Sequence, residues 1–465
     1  MRTYYLIHKP AAVLRTLVCV LLCLSLCGCS MTLFDVEKLM RPPQATGNKE
    51  ALHTLLLEDA GEPLEFVYPR SGEYRSAVIS SAFAGGSVTG SIAFCENATG
   101  GTTLYFALYD GQSWSIVSKI ENPSSQVDRV CFGDLDHDNQ DEVIVSWGSV
   151  QSLSSILSVY DYHDNVVDEY NLDRPYGEFA VTDLDGDGQS ELFVAEVRTT
   201  SSTKTENTFN TTQSQSALAL FYRLRNQSLE IYMAAELDPN VTRYTQLSVS
   251  PMAQGQSGSM VVLDGVRDDS TMVTQVVYVN NAKTALVVPF SKNDNITERP
   301  SVSGVLSQDI DGDGIYELPV VQQMPLPSGT QPQAVSYIVS WQKFVPGQST
   351  TETVSNMVIN AVDGYLFNMP EAWLTGSVTC LYDDSTGVMT FYQIEHPENV
   401  TMLGAALLRI SRFNKEEWES LAGTENYSVV CEQGNVVFAA ALPSPDEELS
   451  ISLEEVTQHL VPITE

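Results

Sequence analysis

A mainly β fold, a row of small antiparallel sheets followed by a small α+β unit, is what this sequence of 465 residues predicts. Three observations carry that expectation. First, an acidic pattern aligns three times without gaps: Asp134-Leu-Asp136-His-Asp138-Asn-Gln-Asp-Glu142, Asp183-Leu-Asp185-Gly-Asp187-Gly-Gln-Ser-Glu191 and Asp309-Ile-Asp311-Gly-Asp313-Gly-Ile-Tyr-Glu317, with carboxylates at positions 1, 3, 5 and 9. Second, each glutamate leads into a β-rich apolar run, Val143-Ile-Val145, Leu192-Phe-Val194 and Leu318-Pro-Val-Val321, so each loop opens a strand. Third, two further strand starts without carboxylates, at Ser91-Ile-Ala-Phe94 and Ser259-Met-Val-Val262, complete a series at 91, 142, 191, 259 and 317, with spacings of 51, 49, 68 and 58.

The elements follow in order. Residues 1–28 read as an export signal, with Arg2, Lys9 and Arg15 before an apolar run of eleven from Thr16 to Leu26. Residues 29–63 are expected to form a tether, stiff at Arg41-Pro42-Pro43, with a short helix from Asn48 to Glu58. Residues 64–357 hold the repeats. Within each, further strands follow the first around a polar turn, as in Leu157-Ser-Val-Tyr-Asp-Tyr-His-Asp-Asn-Val-Val167, which makes each unit a small antiparallel sheet. The longest spacing contains the Ser/Thr/Asn/Gln-rich stretch 199–216, expected as a solvated loop; without those eighteen residues it shrinks from 68 to 50 and the period holds. From about Asn360 the pattern changes, and 358–465 is expected to be a separate α+β domain: hairpins at 378–391 and 427–438, Leu407-Leu-Arg-Ile410 between them, a helix opened by Asn414 with Glu417 as its capping partner, and a last amphipathic helix over Asp446–Leu460.

Oxygens at alternate positions of a tight loop converge on one point, and a hard cation such as Ca²⁺ takes six to eight of them. The expected ligands are the side chains at positions 1, 3 and 5, the backbone carbonyl at 7 (Gln140, Gln189, Ile315) and the glutamate at 9, giving up to three Ca²⁺. Glycines at positions 4 and 6 of the second and third loops permit the sharp turn. His137 and Asn139 stand there in the first loop, which is therefore expected to bind more weakly. An EF-hand would need an acidic residue at position 12, where Val145, Val194 and Val320 stand inside strands.

These loops and their downstream strands resemble the FG-GAP and VCBS repeats of integrin-type β-propellers and many bacterial surface proteins, over roughly residues 65–355. The resemblance implies a β-propeller-like domain of about five visible blades, fewer than the family's common seven, with calcium loops that stabilise blades instead of catalysing. Leu26-Cys27-Gly28-Cys29 resembles the lipobox of bacterial lipoproteins, which implies cleavage before Cys29 and a lipid on its thiol. An uncleaved span over Thr16–Phe34 stays open as the alternative, and both leave the rest of the chain on the extracytoplasmic face of the cell membrane.

Beyond the signal, 21 Lys+Arg stand against 59 Asp+Glu, a formal charge of −38, which argues against nucleic acid and leaves the lipid as the only membrane contact. Four cysteines besides Cys29 remain there, and either disulfides (Cys95 to Cys131, Cys380 to Cys431) or buried thiols fit them. No His-Glu-x-x-His and no Gly-x-Ser-x-Gly is present. Ser201-Ser-Thr-Lys204 matches a Ser-x-x-Lys pattern inside a polar insert, where chance matches are common. The expected role is a non-enzymatic surface module that binds an envelope protein or glycan. The competing reading is a hydrolase or lyase on an extracellular polymer, for which Glu371 and Trp373 are the first residues to examine, although Trp373 is better read as core.

Overall fold

The computed structural model describes residues 48–463 apart from 62, 86–87, 149–155, 173, 175, 198–199, 206–207, 214–216, 253–256, 268–270, 291–295, 302–304, 328, 330–335, 348–349, 398 and 422–425. The export signal, the apolar segment and Cys29 lie outside the described residues. Among those described, no helix is long and apolar enough to cross a membrane.

Among the described residues, six antiparallel sheets of four or five strands follow one another, with one two-stranded hairpin beside them. The first holds β1 (Val78–Ser81), β2 (Thr89–Glu96), β3 (Thr102–Tyr109) and β4 (Trp114–Asn122) in that order, and the second β5 (Gln126–Gly133), β6 (Glu142–Gly148), β7 (Ile156–His163) and β8 (Val166–Leu172). The third contains β9 (Glu178–Thr182) and β10 (Glu191–Ala195), then, after the hairpin β11 (Thr200–Thr205) and β12 (Thr208–Gln213), β13 (Ala217–Arg225) and β14 (Ser228–Leu237). In the fourth, β15 (Val241–Pro251), β16 (Ser259–Arg267) and β17 (Thr271–Val279) are joined by the short β18 (Leu286–Val287) and β19 (Arg299–Pro300), both on β17. The fifth runs β20 (Leu318–Gln323), β21 (Tyr337–Val345), β22 (Thr350–Asn360), β23 (Tyr365–Asn368). The sixth is built from β24 (Val378–Asp383), β25 (Val388–Gln393), β26 (Ala406–Asn414), β27 (Ser428–Gln433) and β28 (Val436–Ala441), and β29 (Leu460–Pro462) returns to pair with β23. This succession of small meanders is mainly β and propeller-like. The strands expected at 91, 142, 191, 259 and 317 begin at Thr89, Glu142, Glu191, Ser259 and Leu318.

The packing explains why these strands read as unbroken apolar runs. Successive side chains of a strand point to opposite faces. On β6, Val143, Val145 and Trp147 enter a core with Ile92, Phe94 and Phe106 of the first sheet. Ile144, between them, enters a second core with Leu192 and Val194 of the third sheet. On β10, Phe193 and Ala195 turn the other way, toward Val261 and Leu263 of β16. A strand covered on both faces has no reason to alternate polar with apolar.

Four expectations change. The insert 199–216 is not a bare loop: β11 and β12 pair as a hairpin, with the threonines of Thr200-Ser-Ser-Thr-Lys-Thr205 and Thr208-Phe-Asn-Thr-Thr-Gln213 supplying β-branched residues that suit an extended backbone. The helix in the tether, α1 (Asn48–Ala60), docks on the first sheet, with Leu52 and Leu56 buried against Ala93, Cys95 and Tyr105. The last helix, α3 (Leu453–His459), starts later than Asp446 because Ser452 and Glu455 form a reciprocal capping box that fixes its first turn there. Finally, the boundary placed at 357/358 falls inside β22. Residues beyond it share one core with the fifth sheet, in which Met324, Val358, Tyr365 and Phe367 pack with Trp373, Phe391, Leu408 and Val456. The helix α2 (Lys415–Leu421) does open at the expected cap: Asn414 N donates to Glu417 Oε2 at 3.1 Å, and Glu417 N donates to Asn414 Oδ1 at 2.8 Å.

All four described cysteines are free thiols. Burial pushes Cys95 and Cys380 up to about 12, which makes both poor nucleophiles.

Candidate cation sites in the acidic loops

The first two acidic loops join the first and second strands of their sheets, β5 to β6 and β9 to β10. The third precedes β20, where the first strand is reduced to a single bridge between Gln308 and Glu317. Each loop winds around its own position-1 aspartate. Asp183 Oδ1 accepts from the backbone N–H of Gly186 at 2.6 Å and Asp187 at 3.1 Å, and its Oδ2 from Gly188 at 2.9 Å. Asp309 does the same with Gly312 (2.8 Å), Asp313 (3.1 Å) and Gly314 (2.9 Å). In the first loop Asp134 accepts from His137 at 2.6 Å and Asn139 at 3.0 Å.

The missing glycines do not alter that geometry. His137 and Asn139 take φ of 74° and 65°, beside 74° and 88° for Gly186 and Gly188 and 78° and 86° for Gly312 and Gly314. The first loop, expected from its sequence to bind more weakly, thus keeps the same left-handed turns as the other two. A histidine and an asparagine held in the left-handed region carry strain that glycine avoids.

At the base of each loop the position-9 glutamate is buried and accepts from the backbone N–H of position 2, Leu135 for Glu142, Leu184 for Glu191 at 3.1 Å, and Ile310 for Glu317 at 2.8 Å. Carboxylate oxygens of positions 1, 3 and 9 then gather within 4.8 Å of one another in all three: Asp134, Asp136 and Glu142; Asp183, Asp185 and Glu191; Asp309, Asp311 and Glu317. Three acidic clusters of a size that holds a metal ion are thus present. The position-5 aspartates turn their Oδ1 to the loop: Asp138 Oδ1 accepts from Gln140 N at 2.7 Å, Asp187 Oδ1 from Gln189 N at 3.1 Å, and Asp313 Oδ1 from Ile315 N at 2.9 Å.

Three residues that the sequence reading passed over complete these sites. Arg223 of β13 reaches into the second loop, where its Nη2 donates to Asp185 Oδ2 at 2.8 Å, Asp187 Oδ2 at 2.9 Å and Glu191 Oε1 at 2.6 Å. Lys343 of β21 reaches into the third: its Nζ lies 3.2 Å from Asp311 Oδ2 and 3.6 Å from Glu317 Oε1, and it bonds Asp313. Beside the first loop, which itself carries Asp134, Asp136, Asp138, Asp141 and Glu142, the neighbouring strand places a further carboxylate, the buried Asp161, near Glu142. The titrations follow. Burial pushes Glu142 up to about 9, with Asp136, Asp161 and Asp134 adding to the rise, whereas Arg223 limits the same burial effect on Glu191 to about 7.

Outside the loops, Glu371 is exposed, and Trp373 is core, with Phe367 and Phe391 against its ring and its Nε1 donating to Leu449 O at 2.9 Å. Ser201 and Lys204 lie on β11. His163, expected in a polar turn, ends β7 beside Asp161, with Nδ1 3.1 Å from Asp161 Oδ2.

No family model matches this chain, and no curated protein matches it. Among solved structures it is similar to one titled "Structure of Dos1 propeller", with a TM-score of 0.26 and 10% identity over 76% of this chain and 64% of that one. It is also similar to one titled "Crystal structure of BBS1N in complex with ARL6DN, soaked with lead", with a TM-score of 0.27 and 11% identity over 83% of this chain and 100% of that one. The chain thus spans a little under two thirds of the first of these.

Proposed function

We propose that this chain is an extracytoplasmic lipoprotein, anchored to the cell membrane through Cys29, whose FG-GAP/VCBS-type repeat domain is stabilised by Ca²⁺ and serves as a non-enzymatic module for binding an envelope protein or glycan. The observation that carries the reading is the recurrence of one loop geometry, with its carboxylates gathered within 4.8 Å, at the start of the second, third and fifth sheets. An all-oxygen donor set is the preference of a hard cation, and a flexible loop favours Ca²⁺ over the stricter octahedral Mg²⁺. In this reading the side chains at positions 1, 3, 5 and 9 and the carbonyls of position 7 are the ligands. The double-sided packing of the sheets supports a rigid frame whose loops are free to meet a partner.

A cation that binds only the folded state stabilises it by mass action, about 2.7 kcal/mol at a hundredfold excess over Kd. The melting temperature of the chain is expected to rise with millimolar CaCl₂ and much less with MgCl₂. An unchanged melting temperature in calcium, together with no heat of binding, overturns the calcium reading. The anchor is tested separately. Cys29→Ala is expected to release the protein to the medium or leave an unprocessed precursor, whereas a variant that stays in the membrane fraction at the mature size overturns the lipid reading.

A further inference from the structure

Each of the first five sheets gives side chains to two cores or more, the outer face of the first being closed by α1. Among the described residues the sixth sheet gives to one. Val378, Cys380, Met389, Phe391, Leu408 and Ile410 enter the core shared with the fifth sheet. The opposite face enters none of these cores, and it carries a groove of about 910 Å³.

Strand register builds the floor of that groove. Leu381, Thr390 and Arg409 stand in line across β24, β25 and β26, and Asp383, Val388 and Ser411 form the next line on the same face. Phe413 and Tyr427 line it with their rings 6.0 Å apart at 77°, and Trp418 of α2 lies against Phe413 at 5.5 Å. Ser411 Oγ donates to the Tyr427 hydroxyl at 3.3 Å, which fixes that ring and leaves the tyrosine its own proton to give. At the rim, Asp383 is engaged by its own turn, where its Oδ1 accepts from Ser385 N at 2.9 Å and Ser385 Oγ at 2.7 Å.

Arg409 is exposed and makes no hydrogen bond or ion pair with a described residue, whereas Arg70, Arg129, Arg174, Arg223, Arg267 and Arg299 are each paired with a carboxylate. In a chain with 59 acidic and 24 basic side chains, a guanidinium left unpaired on an aromatic-lined face stands out. Its planar fork of donors matches a carboxylate.

We propose that this groove binds a neutral glycan chain carrying one carboxylated sugar, with Arg409 on the carboxylate and Tyr392, Phe413 and Tyr427 against the C–H faces of the sugars. The proposal rests on the envelope-binding reading given above and names its site and ligand. A sugar ring has an apolar face and a polar rim, and aromatic rings interleaved with a guanidinium, hydroxyls and the Asp384 carboxylate match both. An extended peptide binds by adding to a sheet edge, but this groove lies on a face, where β25 is already paired on both sides. A lipid chain would cover the guanidinium and leave it unpaired. The net charge of −35 repels a polyanion, so a single carboxylate among neutral sugars suits the site.

Calorimetric titration of the purified full chain tests this with two acidic probes, sialyllactose and aldotetraouronic acid, each beside its neutral counterpart, lactose and xylotetraose. At least one acidic probe is expected to bind tenfold or more tighter than its counterpart. Arg409→Ala should abolish that difference, and Tyr427→Ala should weaken acidic and neutral sugars alike. Arg409 holds nothing else in place, so its variant keeps the test valid should Tyr427→Ala fail to fold. Equal binding of acidic and neutral probes, an unchanged preference in Arg409→Ala, or no binding of any probe overturns the groove assignment. Cosedimentation with isolated cell-envelope fragments separates that failure from failure of the broader reading. Equal retention of the unmodified chain and Arg409→Ala overturns the groove and leaves the binding module standing, whereas no retention of either overturns both.

Discussion

Arg299→Met is expected to destabilise the chain by about 3–5 kcal/mol, the range for removing one partner of a buried ion pair. Arg299 is 1% exposed on β19, at the end of the fourth sheet. Its Nη2 donates to Asp264 Oδ1 at 2.7 Å, Nη1 to Thr274 Oγ1 and Thr297 O at 2.9 Å each, and Nε to Val305 O at 2.8 Å. These bonds tie β16, β17 and the segment before the third acidic loop to one side chain. Methionine keeps much of the volume but leaves the Asp264 carboxyl buried with, among the described residues, Ser307 and Thr274 to donate to it. Denaturant unfolding measures the loss, and the double variant Arg299→Met/Asp264→Leu should recover part of it, because two apolar groups leave no orphaned charge. A loss below about 1 kcal/mol would mean that the pair is dispensable, contrary to the range for such sites.

The second large effect is expected at Phe367→Ala, which should cost about 3–5 kcal/mol, as other buried phenylalanine truncations do. Phe367 belongs to β23 of the fifth sheet, yet its ring meets Trp373 at 6.0 Å, Phe391 of the sixth sheet at 5.0 Å and His459 of α3 at 5.9 Å. On its backbone, β23 carries the pairing with β29, in which Phe367 faces Leu460. One truncation should therefore loosen the fifth and sixth sheets together. Hydrogen exchange is the readout: faster exchange in both β22 and β25 is expected, and faster exchange confined to residues beyond 369 would show that the C-terminal part has a core of its own.

The sequence by itself determined the row of sheets, because a strand buried on both faces must be apolar at every position, and such runs at a fifty-residue period have few other solutions. It determined the acidic loops as well, since aspartates at alternate positions followed by a strand are local information. The cap at Asn414 and Glu417 was legible for the same reason.

Only the tertiary structure decided which side chain of the neighbouring strand faces each loop. Arg223, Lys343 and Asp161 lie 32, 26 and 19 residues after the glutamates they face, an irregular offset set by the lengths of the intervening connections, including the hairpin β11–β12. Nothing in a linear alignment equates them. Pairing does, because a strand's register fixes which side chain stands opposite which, and a shift of one residue would turn each away to the other face. The same reason hid the union of the fifth and sixth sheets. The change of pattern near Asn360 is real, but β29 returns from the chain's last residues to a strand more than ninety positions earlier, and a contact of that range is made by packing and not by spacing.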